Sequence, residues 1–119
     1  MNPKEFYELL TKYHLVRETE YKLCDGELYV FHPMDKVYEG AAVGYGLSGM
    51  PMVSFAKEVK LTVTDGIPYV TCFGWAEPIT EDKYEAKLAS LEKQFHKAVE
   101  DYKKYIVKQR LNKMRKDFR

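Results

Sequence analysis

The sequence predicts an α+β fold: a short N-terminal helix, an antiparallel sheet of four or five strands built from two Asp-Gly hairpins, and one long C-terminal helix. Three observations lead there. Asn2-Pro3 followed by regularly spaced apolar residues marks a helix start. Two Asp-Gly pairs, Asp25-Gly26 and Asp65-Gly66, stand between alternating runs of β-forming residues. Beyond Pro78 the apolar spacing changes to a helical period and keeps it to the end of the chain.

Asn2 suits an N-cap, Pro3 the first helical position and Glu5 the returning half of a capping box. Phe6, Leu9, Leu10 and Tyr13 then form one apolar stripe, predicting a helix over about 3–13. Counting outward from Asp25-Gly26 sets Cys24 opposite Glu27, Leu23 opposite Leu28 and Tyr21 opposite Val30. That register places Leu23, Leu28, Tyr21 and Val30 on one face and Glu20, Lys22, Tyr29 and Phe31 on the other.

The second hairpin sets Val63 opposite Pro68, Leu61 opposite Val70 and Val59 opposite Cys72. Val53 and Phe55 continue that parity backwards, interrupted at Lys57. Lys60, Thr62, Thr64, Ile67, Tyr69, Thr71, Phe73 and Trp75 form the opposite face. Both hairpins contain Asp-Gly-x-x-Tyr-Val, a match that turn chemistry and β-propensity explain without duplication. Between them, residues 32–51 are rich in Gly and Pro, with a short strand expected near Ala41–Tyr45.

Thr80 is the expected N-cap of the long helix, with Glu81 and Asp82 in its first turn and Ile79 and Tyr84 as a hydrophobic staple. Tyr84, Leu88, Leu91, Phe95, Val99, Tyr102 and Ile106 form its first stripe. A second stripe, Val107, Leu111, Met114 and Phe118, is shifted by one residue. A continuous helix over 81–118 would run about 57 Å, against a width of roughly 35 Å for a compact domain of this size. Its last four turns must therefore overhang, bend back or pack on another molecule. This divides the chain into an α+β domain over 1–106 and a basic amphipathic extension over 107–119.

Composition limits the function classes. Seventeen aromatics among 119 residues supply a core and exclude disorder as the main description. No apolar run approaches the length of a membrane span. Met1-Asn2-Pro3-Lys4-Glu5 lacks the apolar stretch of a signal peptide, which makes the cytoplasm the expected compartment. Cys24 and Cys72 have no zinc-type spacing and read as reduced, strand-borne thiols, a disulfide needing adjacent strands of matching geometry. Charge is segregated: Lys103 to Arg119 hold eight basic residues and one acid, leaving 11 basic and 17 acidic over 1–102. The body is thus −6 and the tail +7.

Gly44-Tyr45-Gly46-Leu47-Ser48-Gly49 fits G-x-G-x-x-G, but Met50-Pro51-Met52 and a strand follow where a dinucleotide site requires a helix. It reads as an inter-strand loop open to a ligand-contacting role. Glu92, His96 and Glu100 have metal-capable spacing along one helix flank, yet read more naturally as the solvated border of the apolar stripe. His14 and His32 stand at element ends without a nucleophile partner. No catalytic, cofactor or metal residues are assigned.

Two surfaces remain as candidates. One is the sheet face of Tyr29, Phe31, Tyr69, Phe73 and Trp75, extended by Ile67, a protein-binding patch if uncovered. The other is the tail, with Lys103, Lys104, Val107, Lys108, Arg110, Leu111, Met114, Arg115 and Phe118, where Tyr105 and the apolar residues interleave with more basic charge than a helix dipole requires. The expected function is a small non-enzymatic, cytoplasmic protein-interaction module that self-associates through the long helix as a homodimer or other homo-oligomer. The alternative is a nucleic-acid-binding accessory protein with the tail as a phosphate-contacting arm; an acidic protein is a further possible partner.

Overall fold

Asn2 opens the first helix as its sequence requires: its Oδ1 accepts from the Glu5 amide at 2.8 Å, and its Nδ2 donates to Glu5 Oε1 at 3.0 Å. The computed structural model describes residues 1–19, 25–32 and 38–117. Helix α1 (Pro3–Lys12) buries Phe6 and Leu10, and His14, in the left-handed region at φ 63°, turns the chain sharply into strand β1 (Leu15–Arg17).

Strands β2 (Glu27–Phe31), β3 (Tyr38–Glu39), β4 (Val43–Tyr45), β5 (Val53–Phe55), β6 (Glu58–Thr64) and β7 (Ile67–Phe73) follow. They form two sheets. The first is antiparallel, in the order β1-β2-β4-β5, and the second runs β3-β7-β6. The fold class is α+β as expected, with an antiparallel four-stranded sheet and a long C-terminal helix.

The β6–β7 hairpin has the register read from the sequence, with Val63 opposite Pro68, Leu61 opposite Val70 and Val59 opposite Cys72. Asp65 at φ 53° and Gly66 at φ 77° take the two left-handed positions of its turn. The segment 53–64 is not one strand, however. It changes sheet at Ala56-Lys57: Ala56 N–H donates to the Ala42 carbonyl and Lys57 N–H to the Phe73 carbonyl.

The first hairpin differs from expectation. Val30 pairs with Val16 and Tyr29 with Arg17 along one edge of β2, and β4 occupies the other edge. The expected pairings of Tyr21, Leu23 and Cys24 lie on residues outside those described. Gly26 is absent from the positive-φ residues, and a Cβ there would lie 2.7 Å from the Tyr45 carbonyl oxygen. Its small size serves close approach of two backbones, not a type I′ turn. The faces of β2 are also reversed, since Tyr29 and Phe31 point into the core. Both faces of this strand are apolar, so alternation alone does not choose; the Phe31 ring stacks beneath the long helix on Phe95 and the Tyr29 ring lies against Tyr7 of α1.

Strand β3 pairs parallel with β7, Tyr38 opposite Val70 and Glu39 opposite Thr71, and is too short to leave a periodic signal. After Trp75 the chain enters a 3-10 turn (Glu81–Lys83) and helix α2 (Tyr84–Asp117). Thr80 has the extended N-cap conformation, but its side chain makes no capping bond. Leu88, Leu91, Phe95 and Ala98 form the buried stripe of α2, with Tyr84, Val99 and Tyr102 partly buried against the same core. Phe95 stacks on Phe31 with ring centroids 4.8 Å apart. No helix among the described residues is long and apolar enough to cross a membrane.

Candidate functional site

Helix α2 stays unbroken past the sheet it packs on. Among the described residues its last hydrogen bonds to the body are at the β6–β7 turn, where Gln109 Nε2 donates to the Gly66 carbonyl at 3.1 Å and Tyr105 Oη to the same oxygen at 3.5 Å. The helix continues from there to Asp117 without bending back, and the molecule measures 62 × 28 × 22 Å. Of the alternatives the sequence left open, the single chain adopts the overhang.

Lys103, Lys104, Lys108, Arg110 and Arg115 are all exposed on this segment. Val107, Leu111 and Met114 are 56%, 50% and 55% exposed. Phe118 lies outside the described residues. The overhang is only part of the reason for this exposure. At about 100° per residue, Val107, Leu111 and Met114 lie within roughly 60° of one another and about 150° around from Leu91, Phe95, Ala98 and Tyr102. The apolar stripe therefore faces away from the chain's own sheet. Basic side chains flank it on both sides, Lys103 and Arg110 on one and Lys104, Lys108 and Arg115 on the other.

The five aromatics expected to share a sheet face do not meet on one surface. Tyr29 and Phe31 are core residues of the first sheet, 6% and 0% exposed. Tyr69 and Phe73 are half-buried on the outer face of the second sheet, where Lys60 Nζ sits 4.8 Å from the Phe73 ring centroid and Ile67 is exposed. Trp75 is half-buried on the other side of the first sheet; a Cβ on Gly44 would come within 3.2 Å of its ring and 2.4 Å of Leu47 Cδ1. The expected patch fails because β2 is turned over and because 53–64 divides between two sheets.

The glycine loop joins β4 to β5. Gly46 N–H donates to the Met52 carbonyl, Met50 N–H to the Leu47 carbonyl, and no helix begins there, so the loop lacks the amide cluster that holds a pyrophosphate. Glu92 pairs with His14, Oε2 to Nδ1 3.0 Å, and His96 lies edge-on to Phe95. Among the described residues no group of three His, Cys, Asp or Glu side chains is placed to hold a metal ion. Cys72 is a buried free thiol 2.8 Å from Tyr38 Oη, and burial pushes its pKa up to about 11. That chemistry is inert rather than nucleophilic. Cys24 lies outside the described residues.

Sequence reasoning missed one polar cluster. Glu27 Oε2 accepts from Tyr29 Oη at 2.5 Å and Tyr7 Oη at 3.0 Å, with Arg17 beside Oε1 at 3.5 Å. The Tyr29 hydrogen bond, then that of Tyr7 and the charge of Arg17, hold this carboxyl below its usual range against opposing desolvation. A carboxyl lowered in the folded state stabilises the fold above its ordinary pKa and loses that contribution as pH falls through the folded value. Tyr29→Phe is expected to cost about 1 kcal/mol at pH 7, discounted for partial exposure, and to flatten the loss of stability in urea melts between pH 5 and pH 3. Equal acid slopes in both proteins would contradict this role.

Compared with known proteins, the chain matches no protein family, no curated protein and no solved structure.

Proposed function

We propose that this chain is a small non-enzymatic protein-interaction module of the cytoplasm, self-associating through the distal end of α2. The observation that carries this reading is the half-exposed stripe Val107, Leu111 and Met114, on a helix face that the chain's own sheet cannot cover. Burial of such a stripe drives association, while its basic flanks select an acidic partner surface. Residues 1–106 act as the folded body and 107–119 as the association element. The free thiol of Cys72 fits a reducing compartment.

The exposed bases of the same segment favour a second reading, a phosphate-contacting arm for nucleic acid. Light scattering of the full chain is expected to give at least a dimer, persisting at moderate salt, and the chain ended after Ile106 a folded monomer. A full-length chain that stays monomeric at high concentration overturns the first reading. Salt-sensitive binding to DNA or RNA by that monomer would establish the second.

A further inference from the structure

Between Lys103 and Arg115 the chain holds no acidic residue. The bases of this segment take fixed places around its apolar stripe. Lys103 and Arg110 lie about 50–70° to one side of the stripe's centre, and Lys104, Lys108 and Arg115 about 50–90° to the other. All five are exposed, and among the described residues none is in an ion pair. Further back on the same face Glu100 and Lys93 are exposed, and Lys97 is engaged with Asp101 at 2.7 Å. The distal segment thus has an apolar centre and basic borders on both sides. From this placement we infer that it docks on an anionic lipid surface, lying flat along the headgroups as an interfacial helix.

The order of residues across the face selects this occupant. An arm that grips phosphates needs its bases at the centre of the contact. Here Val107, Leu111 and Met114 hold the centre, each about half exposed. A bilayer interface takes that order: apolar side chains enter the boundary of the acyl chains, and long basic side chains reach back up to the headgroups. A second copy would cover the same stripe but set bases beside bases. Anionic headgroups answer both the stripe and its borders.

The direction of the face agrees. A helix resting on this stripe carries the body on its far side, because the β6–β7 turn meets Tyr105 and Gln109 about 150–170° around from the stripe's centre. The α1–β1 corner reaches the flank of α2 through Lys12 and Tyr13 at Glu85 and His14 at Glu92. Glu92 lies about 16 Å along the helix from Lys103, so this corner leaves the basic segment clear. Residues 103–115 cover about 18 Å of helix. No helix among the described residues is long and apolar enough to cross a membrane, so the contact lies in the plane of the surface. With so narrow a stripe, binding depends on insertion and charge together.

The test is flotation of the full chain with two kinds of vesicle, phosphatidylcholine alone and phosphatidylcholine with phosphatidylserine in a roughly 3:1 ratio. The wild type is expected to float with the second and not with the first. Leu111→Gln with Met114→Gln, and separately Lys108→Gln with Arg115→Gln, are each expected to lower partitioning by about ten-fold or more. All four positions are exposed, and glutamine is a good helix former, so circular dichroism and the melting temperature should match those of the wild type. A wild type that does not float with the anionic vesicles overturns the inference. So does flotation that L111Q/M114Q leaves unchanged, since the bases would then hold headgroup phosphates without insertion. A monomer presents the same face, so light scattering without vesicles tests self-association separately.

Discussion

Replacing Phe31 with alanine will lower stability by about 3–5 kcal/mol, which for a domain of this size displaces the melting midpoint by roughly 12–20 °C. Phe31 is fully buried at the centre of the first sheet, and its ring lies nearly parallel to that of Phe95, 16° between planes. The substitution removes one of the ring contacts that hold α2 on that sheet, Phe55 with Tyr84 being another, and leaves a void walled by the second sheet's Tyr38, which also approaches Phe95. Rigid elements on either side prevent the space from closing, so the cavity adds to the lost transfer energy. Loss of less than about 1 kcal/mol in thermal or urea melts would mean that the aromatic stack is not a central contact.

Gly44→Ala is expected to cost about 1–3 kcal/mol by overpacking. The added methyl would start 2.4 Å from Leu47 Cδ1 and 3.2 Å from the Trp75 ring. Leu47 can rotate away, but the indole has less room, since Ala76 N–H is tied to the Phe55 carbonyl one residue on. Trp75 is the chain's single tryptophan, so its fluorescence reports the displacement directly. A variant with wild-type emission and an unchanged melting point would show that Leu47 absorbs the methyl alone.

The elements legible in the sequence were those written in local chemistry. Asn2, Pro3 and Glu5 set the start of α1, and Asp65-Gly66 fixed the β6–β7 register residue by residue. The 3.6-residue spacing from Tyr84 onward marked α2, and the one-residue shift at Val107 marked the stripe that faces away from the sheet. What escaped depended on long-range choices. Asp25-Gly26 has the composition of a hairpin turn, yet β1 reaches β2 first because left-handed His14 delivers the chain there directly. Tyr29 and Phe31 alternate with Leu28 and Val30, and the partners that receive the inward pair, Phe95 for Phe31 and Tyr7 for Tyr29, are distant in sequence. Gly44 read as part of a glycine-rich loop, while its role is to seat a ring 31 residues away. The Glu27 cluster joins α1 to β2 across a separation that no motif spans.

One segment, Val53 to Thr64, furnishes an edge strand to each sheet, with its crossing at Ala56-Lys57 bonded to Ala42 on one side and Phe73 on the other. Neither layer can therefore be peeled off while the other keeps its border intact. A tug anywhere along that shared ribbon is felt in both, and the body melts as a unit instead of layer by layer.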